Sequence, residues 1–208
     1  MSRYTVILIH PRGKLSSETL KTLNSAYAEI SATMLKYGGL AYALTSWSIL
    51  LLSNGVGERE HRELLYNIKS LQNTLNVQMA SVININPVHA ILAAMRILSS
   101  RDYYFQDGFE RPYTMGIFTL KHTPNKQDLL SEIASQLSML LDISRLILSV
   151  GGLPLSVSLH RVISVLSETR ANYIRELIRD VNISVGIGSD YKAVNALSKA
   201  EEDLASSA

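Results

Sequence analysis

The feature that most constrains the fold of this 208-residue chain is an order of predicted elements that occurs twice. The first occurrence begins with a β-branched apolar run at residues 4–9, stopped by Pro11, which predicts a buried strand. It ends with a helix that Asn86 and Pro87 open as N-cap and first helical residue. Between them we predict a helix at 17–36, strands at 40–44 and 48–53, a helix from Glu58 and a strand at 77–83.

The same order, β-α-β-β-α-β-α, begins again at Tyr113. Gly38-Gly39-Leu40 recurs as Gly151-Gly152-Leu153, 113 positions later and at the same joint after a predicted helix. We therefore predict an α+β protein of two fused ferredoxin-like halves, each a β-α-β-β-α-β unit with an added helix and an antiparallel sheet. The predicted domains are residues 1–99 and 113–208, joined by a linker at 100–112.

Two helices in this scheme carry more specific predictions. The spacing of apolar residues predicts that the helix at 17–36 packs through one stripe. The last helix is predicted to open at Gly188 and Ser189, where free backbone N–H groups favour an anion and where a serine equally serves as an N-cap. The predicted stripe is Leu20, Leu23, Tyr27, Ile30 and Met34.

The composition excludes several classes of protein. The chain has no cysteine, which excludes disulfide scaffolds, thiolate zinc sites and cysteine nucleophiles. Its 20 basic and 18 acidic residues leave a net charge of +2, which argues against a nucleic-acid partner. The longest uncharged stretch, residues 37–57, is broken by glycine and asparagine and falls short of the roughly 20 apolar residues that a spanning helix needs. We expect no membrane partner and a cytoplasmic location.

A family resemblance rests on the joints of the repeat. The first half resembles archaeal GTP cyclohydrolase III in the order of its segments. These are Tyr37-Gly-Gly-Leu, a hairpin, Ile49-Leu-Leu-Leu-Ser-Asn-Gly55 and a helix. In the second half Gly151-Gly-Leu and Val185-Gly-Ile-Gly188 are similar to the family as well. The resemblance implies halves like the palms of nucleotide cyclases and diguanylate cyclases, and it implies oligomers. It also implies a Mg²⁺-dependent reaction that opens the guanine imidazole ring of GTP to a formamidopyrimidine nucleotide, with loss of phosphate.

The residues that this reaction requires are replaced. In the resembled family, aspartates stand at the end of each first strand and at the tip of each hairpin, where they hold Mg²⁺ against the triphosphate. The corresponding positions are His10 and Trp47 in the first half, and Phe118 and His160 in the second. Histidine suits transition metals better than Mg²⁺, and indole and phenyl rings offer no oxygen ligand. We therefore expect neither a bound metal nor any catalytic residue at these degenerate positions, and no cofactor.

Basic residues lie near the positions where the resembled family holds phosphates. They are Arg12 and Lys14 after the first strand, and Lys121 and Arg161 in the second half. Such a rim binds a nucleotide or another anion without metal, or it is ordinary solvated charge. We retain these four residues, with Gly188 and Ser189, as candidate ligand-binding residues.

The linker is the densest aromatic segment of the chain. Tyr103, Tyr104, Phe105, Phe109 and Tyr113 alternate there with charged residues. The pattern suits a plug between the halves, which is the preferred interpretation; the alternatives are a subunit interface and a surface on which bases stack.

Three functions follow, and the first is preferred. In the first, catalysis is lost and the chain binds a nucleotide-like anion, with purine nucleotides the class expected, or a protein partner. In the second, the GTP cyclohydrolase III reaction persists with Mg²⁺ and uses acids from elsewhere, such as Asp142, Glu168 or Asp190. In the third, the chain is a purely structural subunit of a hetero-oligomer. We expect a homo-oligomer or pairing with a paralogous subunit.

Overall fold

The computed structural model of the chain describes residues 1–13, 16–71, 75–121, 129–158, 160–167, 170–178 and 183–207. Contacts divide the described chain into two compact units. The first unit comprises residues 1–84, 89–112 and 191–194, and the remaining described residues form the second. None of the described helices is long and apolar enough to cross a membrane.

The first part of the chain forms a mixed sheet with helices between its strands. Its elements are β1 (Ser2–Pro11), α1 (Ser17–Lys36), β2 (Leu40–Thr45), β3 (Ser48–Leu52), α2 (Glu58–Leu71), β4 (Leu75–Asn84), α3 (Pro87–Leu98) and β5 (Tyr103–Phe105). Among the described residues, the sheet has the strand order β2-β3-β1-β4-β5. The pairs β2–β3, β3–β1 and β1–β4 are antiparallel, whereas β5 runs parallel to β4.

The second part repeats this arrangement. Its elements are β6 (Tyr113–Leu120), α4 (Leu129–Ser149), β7 (Leu153–Ser158), β8 (Arg161–Leu166), α5 (Ala171–Leu177), β9 (Ile183–Asp190) and α6 (Ala193–Ser206). Its described strands form an antiparallel sheet in the order β7-β8-β6-β9, which corresponds to β2-β3-β1-β4 of the first sheet. The predicted α+β fold of two ferredoxin-like halves is therefore confirmed.

Burial of apolar residues explains the position of the helices on the first sheet. Alternation along β1 puts Ile7 and Ile9 on one face and Val6 on the other. Ile7 and Ile9 belong to a buried cluster with Ile30 of α1 and Ile68 of α2. The helices α1 and α2 therefore cover this face, while Val6 is also fully buried on the opposite one.

The predicted bounds of α1 are confirmed, but its predicted inner face is partly wrong. Leu20 is 47% exposed and Tyr27 is 36% exposed, although both were expected inside. The helix packs through a neighbouring stripe whose first members are short or polar. That stripe is Thr19, Thr22, Ala26, Ile30 and Met34.

The predicted start of the last helix is also wrong. Gly188 and Ser189 lie inside β9, opposite Met115 and Thr114 of β6, and α6 begins only at Ala193. A β-carbon on Gly188 would lie 2.3 Å from Ala196 O, so the glycine is required by close packing of α6 on the strand. Ser189 Oγ is 2.9 Å from Thr114 Oγ1 across the sheet. These two residues therefore provide no helix N-terminus for an anion.

The linker contains a strand that the sequence did not indicate. Tyr103, Tyr104 and Phe105 pair in parallel with Met79, Ala80 and Ser81 of β4. Met79 N donates to Asp102 O at 2.9 Å, and Gln106 N donates to Ser81 O at 2.9 Å, so the pairing continues at both ends. The aromatic segment thus forms one edge of the first sheet.

Candidate functional site

The structure brings together the two degenerate positions of the first unit. Ile9 N donates to Trp47 O at 2.9 Å, which holds the end of β1 beside the tip of the β2–β3 hairpin. Hydroxyl groups form hydrogen bonds across that tip. Thr45 Oγ1 lies 2.7 Å from Ser48 Oγ, and it also accepts a hydrogen bond from Trp47 N at 3.1 Å. His10 is exposed and Trp47 is partly buried. We call this region the hairpin end of the first sheet.

Basic residues continue the chain beyond the hairpin end. Arg12 follows β1 and is exposed. Lys14, the second predicted basic residue here, lies outside the described residues. The hairpin end therefore presents an imidazole and a guanidinium to solvent.

The second unit has the same geometry, but it changes one predicted correspondence. Leu120 N donates to His160 O at 3.0 Å, as Ile9 N does to Trp47 O. The register pairs Leu8 with Ser48 and Thr119 with Arg161, so the counterpart of His10 is Lys121 and not Phe118. Corresponding residues of the two units are two positions closer together along the chain in the first strand than in the hairpin. The amino-acid sequence alone did not reveal this difference.

Phe118 has a structural role instead. It is fully buried in the cluster that α4 forms with the second sheet, in the position that Ile7 occupies in the first unit. Lys121, at the strand end, is exposed. The strand-end position of the second unit is thus held by an ammonium.

The remaining sequence candidates are dispersed over the second unit. Arg161 forms an ion pair with Glu201, so part of its charge is offset. Of the alternative acids, Asp142 pairs with Arg145 on the exposed face of α4, and Asp190 pairs with Lys199 at 2.6 Å. Glu168 lies outside the described residues. The two described acids, Asp142 and Asp190, therefore each have a basic partner of their own.

The opposite end of the first sheet holds a buried polar network that sequence reasoning missed. Arg3 is 2% exposed, although it carries a full charge. Its Nε pairs with Glu110, and its Nη1 donates to Ser81 Oγ at 3.1 Å and to Gln106 O at 2.8 Å. Its guanidinium carbon lies 4.1 Å from the centroid of the Phe105 ring. Hydrogen bonds and stacking therefore satisfy a cation that burial alone would strongly destabilise.

Glu110 gathers donors from three parts of the chain. Besides Arg3, it accepts from Gly55 N at 2.6 Å and from the Tyr191 hydroxyl at 2.5 Å. Burial and this hydrogen bond raise the pKa of Tyr191 to about 12, so the phenol remains a donor at neutral pH. Gly55 has φ +73°, which lets its N–H point at the carboxylate without the cost that a side chain would bring. We call this region, centred on Arg3 and Glu110, the network end.

Asn54 connects the same segments through a single side chain. Its Oδ1 accepts from Arg3 N at 2.7 Å, and its Nδ2 donates to Arg111 O at 2.7 Å and to Tyr191 O at 3.2 Å. The amide is almost fully buried, so each of these bonds replaces one to water. Asn54 therefore fixes the arrangement of the network end.

A buried histidine extends the network into the core. His61 Nδ1 lies 2.8 Å from Gly57 O, which can only accept, so Nδ1 carries the proton and Nε2 accepts from Thr5 Oγ1 at 2.9 Å. Ser53 Oγ lies 2.9 Å from Thr5 Oγ1. Burial lowers the pKa of His61 to about 4, so the imidazole is neutral. His61, Thr5 and Ser53 are all 1% exposed or less, so this hydroxyl–imidazole group is structural.

An open cavity of about 770 Å³ lies beside the network end, a size typical of ligand sites. Its charged lining consists of one cation, Arg3, and three carboxylates, Glu58, Asp107 and Glu110. The other lining residues are Gly55, Val56, Gly57, Phe105, Gly108, Phe109, Pro112 and Tyr191. The cavity is therefore acidic and aromatic, unlike the hairpin end.

A comparison with protein families bears directly on the hairpin end. The model of the family described as GTP cyclohydrolase III matches residues 10–111, which begin at His10 and include the hairpin and α2. Through this segment, just under half of its length, the chain is similar to the GTP cyclohydrolase III family. No curated protein matches the chain.

Solved structures similar to this chain include two structures of a bacterial light-regulated adenylyl cyclase. The first is 11% identical with a TM-score of 0.26, and the second is 10% identical with the same score. In each case the match covers 91% of this chain and 73% of the other.

The residues of this chain do not fit the Mg²⁺ that a resemblance to the GTP cyclohydrolase III family implies. The strand-end and hairpin-tip positions are His10 and Trp47 in one unit, and Lys121 and His160 in the other. Mg²⁺ requires hard oxygen ligands in near-octahedral geometry, and these four side chains provide none. Within the described part of the chain, no three histidine, aspartate or glutamate side chains are grouped so as to hold a metal ion.

Proposed function

We propose that this chain is a member of the GTP cyclohydrolase III family that no longer carries out the metal-dependent opening of GTP and instead binds a phosphate-bearing nucleotide without metal at the hairpin end of the first sheet. One observation carries the proposal. The reaction requires a carboxylate at the end of the first strand of each unit. The chain has the imidazole of His10 at this position in the first unit and the ammonium of Lys121 in the second.

Charge supports an anionic ligand at this position. A triphosphate without Mg²⁺ needs cations from the protein, and a guanidinium such as that of Arg12 donates two parallel hydrogen bonds to phosphate oxygens. The exposed imidazole of His10 adds donors next to it. The hairpin end therefore offers donors to a phosphate where the family would offer a metal.

The test combines binding with turnover. The protein is incubated with GTP, in Mg²⁺ or in EDTA, while its melting temperature, released phosphate and ring-opened product are measured. We expect a rise in melting temperature that is the same in both buffers, and no product. A ligand at 100 times its Kd stabilises the folded state by about 2.7 kcal/mol, which such a measurement resolves.

Two sets of variants locate the effect. Arg12→Gln should weaken GTP binding, whereas Arg59→Gln, which removes an exposed arginine of α2, should not. The double variant His10→Asp with Trp47→Asp restores carboxylates at the positions that the structure brings together, and its GTP binding should become Mg²⁺-dependent. Product from the unmodified protein, or a melting temperature that GTP does not change, would contradict the proposal.

A further inference from the structure

The cavity at the network end is independent of the nucleotide site proposed above. Arg3 and His10 are seven residues apart along β1, which corresponds to roughly 23 Å in an extended strand. The cavity is lined from the network end and includes none of the residues proposed to bind phosphate. A ligand held there would be a second one.

The charge of the lining opposes an anion. Arg3 is the cavity's cation, but Glu110, Ser81 and Gln106 engage its donors and Phe105 covers its face. Glu58 and Asp107 remain as carboxylates at the exposed part of the wall, with Glu58 paired to Arg62 at 2.7 Å on the surface. A phosphate at this part of the wall would meet these acids, whereas the ammonium of Lys192 lies beside Gly55, over the Tyr191 ring.

The aromatic residues of this region already bind cations. Arg3 lies 4.1 Å from the Phe105 centroid, Arg62 lies 4.4 Å from the Tyr103 centroid, and Lys192 Nζ lies 5.9 Å from the Tyr191 centroid. The faces of aromatic rings attract cations at such distances. Among the described residues, no cation stacks on Phe109, which is also part of the lining.

Phe109 is placed to receive a cation from outside. Its side chain is 81% exposed, an unfavourable position for a phenyl ring without a partner. Asp107, two residues earlier, is exposed on the same loop, and its carboxylate accepts from Gly108 N at 2.9 Å. The loop therefore offers a phenyl face and an oriented carboxylate to the cavity.

We infer that this cavity binds a small organic cation with an apolar body, such as a quaternary or primary amine, held between the Phe109 ring and the carboxylates of Asp107 and Glu58. The cavity has room for such a molecule. On binding, the positively charged group of the ligand exchanges its contacts with water for contacts with the face of the Phe109 ring and with the carboxylates of Asp107 and Glu58.

An NMR titration of the full-length protein with choline tests this inference. The uncharged control is 3,3-dimethylbutan-1-ol, which has nearly the same shape. We expect choline to shift the amide signals of Gly55, Gly57 and Gly108, with the signal of Gly13 at the hairpin end unchanged. The control alcohol should bind at least tenfold more weakly, because it keeps the apolar contact and loses the charge.

Variants confine the effect to the named residues. Phe109→Leu and Asp107→Asn should each raise the Kd of choline about tenfold, a change of about 1.4 kcal/mol at room temperature. Glu63→Gln removes an exposed acid of α2 outside the cavity and should leave the Kd unchanged. Equal binding of choline and the alcohol, binding of GTP at these glycines, or no shift with choline would each overturn the inference.

Discussion

The two ends of β1 are built in opposite ways. The hairpin end, at His10, is exposed and carries an imidazole and the guanidinium of Arg12. The network end, at Arg3, buries charged and polar groups and satisfies them with hydrogen bonds from distant segments. The difference indicates that the hairpin end contributes little to the stability of the unit, whereas the network end contributes much. Mutations at the two ends can therefore be compared within one sheet.

The largest expected effect comes from separating the buried ion pair. Arg3→Ala leaves the Glu110 carboxylate buried without its cation, and breaking such a pair typically costs about 3–5 kcal/mol. Urea denaturation should show a loss of this size in the free energy of unfolding. The exposed pair Glu58–Arg62 provides the control, because Arg62→Ala should cost less than about 1 kcal/mol. Equal losses from the two variants would remove the contrast between buried and exposed charge.

The next effect is a dependence of stability on pH. The pKa of His61 is about 4 in the folded protein against an ordinary value of 6.5, so its neutral form stabilises the fold fully above pH 6.5. As the pH falls from 6.5 towards 4, the unfolded chain takes up a proton that the folded protein does not, and stability is lost. Between pH 7 and pH 5 this group alone should cost about 2 kcal/mol.

Comparison with His61→Gln isolates that contribution from other titrating groups. The variant should be less stable than the unmodified protein at pH 7, and the difference should narrow as the pH is lowered to 5. Denaturation curves at both values measure it. A difference that stays constant would show that His61 does not titrate between the folded and unfolded states.

The smallest expected effect compares a glycine at each end. Gly55 has φ +73°, so Gly55→Ala should cost about 1–2 kcal/mol, since side chains destabilise the left-handed region. Gly13 lies beyond β1 at the hairpin end, and a β-carbon there would meet nothing within 4 Å. Gly13→Ala should be neutral or stabilise by up to about 1 kcal/mol. Melting temperatures of the two variants measure the contrast, and a larger loss at Gly13 would reverse it.

Local patterns in the sequence were sufficient to predict the two repeated halves, although not β5 or the start of α6. Alternation and capping located the strands and gave α1 its bounds, because both depend on neighbouring residues. The inner face of α1 was harder to predict, since Thr19 and Ala26 pack against the sheet while the larger Leu20 remains exposed. Which residues of the helix are buried depends on how much side-chain volume fits against the neighbouring element. The helical spacing of apolar residues carries no information on that volume.

The network end could not be predicted from local patterns. Its central ion pair joins residues 107 positions apart, and the Asn54–Tyr191 bond spans 137. The one available signal was Arg3, a charge directly before a β-branched run, and nothing in the sequence named Glu110 as its partner. At the hairpin end the candidate residues were predicted from the resemblance, except that only the register of β6 and β8 shows Lys121 to be the counterpart of His10.

The three hydrogen bonds of Asn54 have a consequence for the order in which the chain acquires its structure during translation. Residues 191–194 belong to the first unit, and both Tyr191 O and Val194 N are hydrogen-bonded to residues before position 55. The ribosome makes those residues only after β6 to β9 have been synthesised. A nascent chain that ends at Pro112 contains every strand of the first sheet but lacks the segment that completes its network end. The first unit to emerge is thus completed only after all the strands of the second unit have been made.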